Sequence, residues 1–236
     1  MITGLDHLAL KASFVSGAVG AYETLLGRKA EGGKLRVGNV GLVIEDDAST
    51  ARLTSMVFAT SSIEKTERLL ERRGLTLTSA ATHGVPIALV ERAEAPPPSP
   101  LLKSSEAESI TSLDHVVIRS PNPERAIALY AGRLGLDLRL DRSNPAWNAR
   151  LLFFRCGDLV IEIAHNLKKG VSDGPGELWG LSWRTPNVAG CQARLKKAGV
   201  EVSEPREGRR PGTQVFGVES HTANVPTIVI GGLGRW

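Results

Sequence analysis

The sequence is poor in cysteine, with only Cys156 and Cys191 among its 236 residues and no CxxC spacing. Neither a disulfide framework nor a cysteine-based zinc site is therefore indicated. The chain also has no apolar run near the roughly 18 residues that a membrane helix needs. The formal net charge is +4. The chain nevertheless has no Lys/Arg tract interleaved with aromatic residues, which is the pattern expected of a nucleic-acid-binding protein. Membranes and nucleic acids are therefore not expected partners, and a small-molecule ligand is favoured.

No targeting peptide is expected at the N-terminus. The first residues, MITGLDHLAL, contain neither a basic leader nor the apolar core of a signal peptide. They already belong to a segment that occurs twice in the chain. We therefore expect a cytoplasmic protein.

The main feature that is present is this repeat. The segment LDHLALKASFVSGAVGAYETLLG at 5–27 returns as LDHVVIRSPNPERAIALYAGRLG at 113–135, with the histidine, the tyrosine and the final glycine in register. A match in spacing as well as in residue type indicates a duplicated structural unit. Residues 94–111 are rich in Pro, Ser and Ala and have no strand or helix period, so they are predicted to form a linker. The predicted domains are residues 1–93 and 112–236.

Each half divides further into two modules of similar pattern. In the first module, LDHLALKA alternates as a strand, SGAVGAYETLLG has helical spacing and ends in glycine, and GKLRVGNVGLVIED indicates short strands. The other three modules keep this order, which predicts an α+β fold of four βαβββ modules. A single module would expose one face of its sheet and could not be stable alone. The modules must therefore pair, and the sequence leaves open which pairs with which.

This layout, with LDHVVI and GDLVIEIAHN in the third module, resembles the vicinal oxygen chelate superfamily of glyoxalases, extradiol dioxygenases and bleomycin resistance proteins. The resemblance covers essentially the whole chain. It implies a glyoxalase-like fold of two half-open barrels, in which a His of the first strand and a Glu of the last strand bind a metal. These positions fall on His7 and Glu45 in the first module and on His115 and Glu162 in the third. The corresponding positions of the second and fourth modules are Ser55, Ala88, Gly180 and Ile228, and none of these is a ligand in the superfamily.

Imidazole and carboxylate ligands suit a divalent metal such as zinc, nickel, manganese or iron(II), held with positions open for a substrate. Such a metal acts as a Lewis acid on adjacent substrate oxygens, while a carboxylate, Glu162 or Glu45, serves as the base. The resemblance thus implies a metal-dependent lyase or isomerase, favoured over a ring-cleaving dioxygenase. The alternative is a protein of the bleomycin-resistance type, which binds or sequesters a small molecule without a metal. In that interpretation the His and Glu residues are structural.

Strand alternation makes a prediction about one His/Glu pair. It places His115 and Glu162 together on the concave face of the sheet, beside Val117 and Val160. The same applies to His7 and Glu45.

The ligand is expected in the C-terminal half, because both of its modules are longer than their N-terminal counterparts and the additions lie in loops. All four tryptophans, Trp147, Trp179, Trp183 and Trp236, also lie in this half. Arg142, Arg209 and Arg210 are predicted to meet a carboxylate or phosphate of an anionic or aromatic ligand, with Trp147 stacking against it. The alternative is that these arginines lie in a solvated loop. A homodimer is left open.

Overall fold

The computed structural model describes residues 1–47, 50–102 and 106–232. The strands are β1 Ile2–Ala12, β2 Lys34–Val37, β3 Val40–Asp46, β4 Arg52–Thr60, β5 Ile87–Glu91, β6 Ser112–Arg119, β7 Asp137–Asn144, β8 Ala149–Cys156, β9 Leu159–Asn166, β10 Glu177–Arg184, β11 Arg206–Glu207, β12 Gln214–Val218 and β13 Thr227–Gly231. The helices are α1 Val15–Leu26, α2 Ile63–Arg72, α3 Pro123–Ile127 and α4 Val188–Lys197. A π-helical segment, Ala128–Arg133, continues α3. Short 3₁₀ turns cover Glu106–Glu108, Pro145–Trp147 and Leu167–Lys169.

The strands form two sheets. The five-stranded sheet has the order β2-β3-β1-β4-β5, and the eight-stranded sheet has the order β11-β12-β13-β10-β6-β9-β8-β7. Neither sheet is closed. The predicted α+β class is confirmed, since many strands are combined with few helices. No helix in the described part of the chain is long and apolar enough to cross a membrane.

The chain divides into two compact units that do not follow the two sheets. The first unit consists of residues 1–7, 54–95 and 115–179, and the second unit consists of residues 8–53, 96–114 and 180–236. The first unit thus combines the second module with the third, and the second unit combines most of the first module with the fourth. The boundaries expected from the sequence, 1–93 and 112–236, stay a prediction.

Local sequence signals explain where the helices begin and end. The side chain of Asn122 accepts a hydrogen bond from the backbone N–H of Arg125 and Pro123 opens the helix, a strong start signal for α3. At the C-terminal end of α1, Gly27 adopts a left-handed conformation with φ 68°, and its N–H donates a hydrogen bond to the carbonyl of Glu23. This is the helix-ending role that the sequence predicted for the glycine.

In the third module, the core of the first unit lies between α3, with its π-helical continuation, and one face of the sheet formed by β6, β9, β8 and β7. Strand register places Val116, Ile118, Ile161, Ile163, Leu152 and Phe154 on this face, and all six are buried. Tyr130 covers them from the helical side, with its ring 5.5 Å from that of Phe154. Because this face is fully used for packing, any site on these strands must lie on the opposite face.

The second unit has a core of its own around α1 and α4. Tyr22, Leu25, Trp183, Leu195, Phe216 and Val229 are all completely buried there. The hydroxyl of Tyr22 donates to the backbone carbonyl of Thr222 at 3.0 Å.

Candidate functional site

The candidate site is the face of the β6-β9-β8-β7 sheet that points away from α3. In this register Val117 lies opposite Glu162, and Glu162 lies opposite Phe153. Residues that are paired in this way project their side chains to the same face. His115 and Val160 form the neighbouring pair on the same face, as the alternation predicted.

His115 and Glu162 meet at the centre of this face. The Nε2 atom of His115 lies 3.4 Å from the Oε2 atom of Glu162, and the two side chains are only 13% and 11% exposed. Two ionisable groups withdrawn from water and in contact are what proton transfer or metal binding requires. This pair is the strongest candidate for chemistry in the described chain.

The equivalent residues of the first module are arranged differently. The Nδ1 atom of His7 lies 2.8 Å from the Oδ2 atom of its neighbour Asp6. Glu45 is the penultimate residue of β3 and its side chain is exposed. The prediction that His7 and Glu45 bind a metal, and that Glu45 acts as a base, stays a prediction.

The His115–Glu162 pair can be tested for its fit to a metal ion. Two ligands about 2.1 Å from a tetrahedral ion lie roughly 3.4 Å apart, which is the observed separation of the two atoms. Catalytic zinc sites use three protein ligands. Within residues 1–47, 50–102 and 106–232, however, no three His, Cys, Asp or Glu side chains come close enough to hold a metal. The described residues therefore supply two of the three donors that such a site requires.

The predicted ligand-binding residues fall into two groups. Arg142 lies on the candidate face opposite Leu151, and its guanidinium carbon is 5.3 Å from the ring centre of Trp147. Arg209 and Arg210 lie in the second unit, in the exposed turn between β11 and β12. Trp236 lies outside the described residues. The structure thus brings Arg142 and Trp147 together on the sheet that carries Glu162, and the part played by Arg209 and Arg210 in binding stays a prediction.

A second stacked pair was not predicted from the sequence. The guanidinium of Arg119 lies 4.1 Å from the ring centre of Trp179, and its Nη1 atom is 3.5 Å from Glu177. Arg119 follows His115 by four positions in one strand, so alternation alone could have placed it on the same face. Its contact with Trp179 depends on a strand far away in sequence.

Comparisons with known proteins agree with this fold. Residues 114–216 match the family model of the Glyoxalase/Bleomycin resistance protein/Dioxygenase superfamily. An ethylmalonyl-CoA/methylmalonyl-CoA epimerase from Cereibacter sphaeroides is 28% identical over 109 residues, which are 42% of this chain and 81% of the epimerase.

Two solved structures match the whole chain in fold. A mutant of 4-hydroxymandelate synthase from Streptomyces coelicolor has a TM-score of 0.73 at 13% identity, and the match covers 100% of this chain and 94% of the synthase. A halotolerant catechol dioxygenase has a TM-score of 0.70 at 12% identity, with 100% and 89% covered. The resemblance inferred from the sequence is thereby confirmed over residues 114–216 by the family model, and the fold of the whole chain is like that of these two structures.

Proposed function

We propose that the protein catalyses proton transfer on a small organic substrate, in a reaction of the isomerase or lyase type, with Glu162 as the base. The observation that supports this most directly is the contact between His115 and Glu162 on the face of the sheet away from α3. The epimerase relative supports the same reaction class, because an epimerisation next to a thioester carbonyl breaks and remakes one C–H bond.

Glu162 suits the role of base because an ionised carboxylate is an acceptor only. It would remove a proton from the carbon next to a substrate carbonyl, so that a C–H bond breaks and an O–H bond forms on the carboxylate. The electron pair moves to the carbonyl oxygen and gives an enolate. Return of the proton to the carbon completes an isomerisation, and departure of a neighbouring group completes a lyase reaction.

His115 has the role of a positioning residue in this proposal. Its ring lies against the carboxylate of Glu162 and is itself nearly buried. A carboxylate held in one orientation meets the substrate proton without first reorganising, which is the main benefit of a preorganised site. Val117 and Val160, buried on either side of the pair, keep water away.

A metal-dependent form of the same reaction is the second candidate, and the 3.4 Å separation of the two donor atoms favours it. His115 and Glu162 would be the protein ligands of a zinc, nickel, manganese or iron(II) ion. When bound, such an ion would polarise the substrate carbonyl as a Lewis acid. Elemental analysis of protein purified without a chelator, together with the His115→Ala variant, tests this candidate. Metal content that does not change in the variant would contradict it.

The test of the proposed function uses methylmalonyl-CoA and ethylmalonyl-CoA in D₂O, with the protein either chelator-treated or supplied with each of the four metals. We expect deuterium to enter the carbon next to the thioester carbonyl. Glu162→Gln should slow this exchange by about a hundredfold or more, because a positioned general base contributes about that much.

Glu64→Gln is the matched control, since Glu64 is an exposed carboxylate on α2 whose ion-pair partner among the described residues is Arg68, one helical turn away. It should leave the exchange rate unchanged. Exchange that survives in Glu162→Gln would contradict the assignment of the base. A wild-type protein that labels neither thioester under any condition would instead favour the alternative, a small-molecule binding protein without catalysis.

A further inference from the structure

The face that carries His115 and Glu162 has an unequal balance of charge. Strand register places Arg119, Arg142 and Arg155 on the same face as Glu162. The carboxylates that β6, β7, β8 and β9 direct to this face are Glu162 and Asp137, and Asp137 lies at the start of β7 opposite Arg155. Three guanidinium groups against two carboxylates leave an excess of positive charge that attracts an anion.

Two of these arginines occupy the same row across the sheet. Arg142 pairs with Leu151, Leu151 with Ala164, and Ala164 with Arg119. The two arginines therefore flank a short apolar stretch. Glu162 precedes Ala164 by two residues on β9, which puts its Cα about 8 Å from that of Arg119 given ordinary strand spacings.

Each of the two arginines is held against a tryptophan ring. Trp147 lies beneath Arg142 and Trp179 beneath Arg119. A stacked guanidinium keeps its N–H groups directed outward in the ring plane, where they match two oxygens of a carboxylate or phosphate. Two such pairs in one row, next to a nearly buried acid–base pair, have the composition of a small-molecule site.

The two arginines differ in their other partners. Arg119 meets Glu177 at 3.5 Å, but both side chains are more than half exposed, so this ion pair contributes little and a ligand could replace it. No carboxylate partner of Arg142 is found in the part of the chain that the structure describes. Arg142 is therefore the stronger candidate for an anion contact.

We infer that the ligand of this site is an anionic small molecule with a flat or apolar body, whose carboxylate or phosphate is bound by Arg142 and Arg119. Leu151 and the two tryptophan rings receive the body of the ligand. The reactive carbon lies against Glu162, one row further along the strands. This last point rests on the proposed function, whereas the anion site does not.

The experiment measures binding of three aromatic probes by calorimetry: benzoate, phenylphosphate and uncharged benzyl alcohol. Wild-type protein should bind at least one of the anions more tightly than benzyl alcohol, and the comparison of benzoate with phenylphosphate identifies the preferred group. Arg142→Gln should weaken that anion by about tenfold, the effect of one charge-assisted hydrogen bond. Arg119→Gln should weaken it less, because Glu177 competes for this arginine.

Two further variants serve as controls. Arg68→Gln removes an equal charge from the exposed surface of α2 and should leave binding unchanged. Arg142→Lys keeps the charge without the planar fork and should restore part of the affinity. Equal binding of the anions to wild type and Arg142→Gln, or equal binding of anions and benzyl alcohol to wild type, would overturn the inference.

The outcome can be separated from that of the proposed function. Glu162→Gln should keep or strengthen anion binding while it loses deuterium exchange. Arginine-dependent binding in a protein that shows no exchange would sustain the anion site and contradict the proposed reaction. Deuterium exchange in a protein whose anion binding does not depend on either arginine would support the proposed reaction and contradict the anion site.

Discussion

The first and third modules begin with the same LDH motif, but among the described residues only the third pairs its histidine with the glutamate of its last strand. In the first module, the Nδ1 atom of His7 lies 2.8 Å from Asp6, and Asp6 accepts a hydrogen bond from the Nε–H of Arg92 at 3.2 Å. In the third module, Asp114 accepts a hydrogen bond from the Nε–H of Arg184 at 2.6 Å, and the Nε2 atom of His115 lies 3.4 Å from Glu162. The motif alone therefore does not decide whether its histidine reaches the glutamate of the last strand.

The position of the glutamate within its strand accounts for much of the difference. Glu162 is the fourth of eight residues in β9, which has β6 on one side and β8 on the other. Glu45 is the sixth of seven residues in β3 and is exposed. A glutamate in the middle of a central strand is fixed by both neighbours, whereas one near a strand end is left to solvent. A duplicated motif can thus bury its glutamate in one copy only.

The largest effect on stability is expected at the two aspartates. Asp114→Asn should lower the free energy of unfolding by about 3 kcal/mol, because it leaves the largely buried Arg184 without its carboxylate. Asp6→Asn should cost about 1 kcal/mol, because the Arg92 side chain is 42% exposed and water can solvate it. Guanidinium chloride unfolding of both variants measures the difference. Equal losses at the two positions, with unchanged m-values, would show that the two motifs are equivalent after all.

A smaller effect is expected at the two repeated tyrosines. Both are buried, and burial raises the pKa of each hydroxyl well above its usual range. Tyr22 donates to the carbonyl of Thr222, whereas the Tyr130 hydroxyl has no hydrogen-bond partner within the described residues. Tyr22→Phe should therefore cost about 1 kcal/mol, and Tyr130→Phe should change stability by less than about 0.5 kcal/mol. The same unfolding experiment measures both, and a larger loss for Tyr130→Phe would contradict this account of the two modules.

Local sequence signals were enough to predict much of the fold. The α+β class, the end of α1 at Gly27, and the shared face of His115 and Glu162 all follow from short-range periodicity and helix-ending chemistry. These features could be predicted because they depend on residues within a few positions of one another or on strict strand alternation.

The features that were not predicted depend on distant pairings. Asp6 is engaged by Arg92 and Asp114 by Arg184, partners that only the folded chain brings within reach. The stacking of Arg119 on Trp179 likewise joins two strands that are far apart in sequence. Nor could periodicity show how the modules combine into compact units, since the four patterns are alike and several combinations satisfy them.

We expect His115 and Glu162 to act as one reactive unit, and His7 and Glu45 to have no part in the reaction. A double-mutant cycle on the deuterium exchange rate tests it directly, with His115→Ala, Glu162→Gln and their combination beside His7→Ala, Glu45→Gln and their combination. Groups that act together show strongly non-additive losses. We predict that the His115/Glu162 double variant is no slower than Glu162→Gln alone, and that each N-terminal variant slows exchange by less than about threefold, as expected for residues outside the reacting centre. Losses that multiply in the C-terminal pair, or N-terminal losses as large as that of Glu162→Gln, would contradict the account.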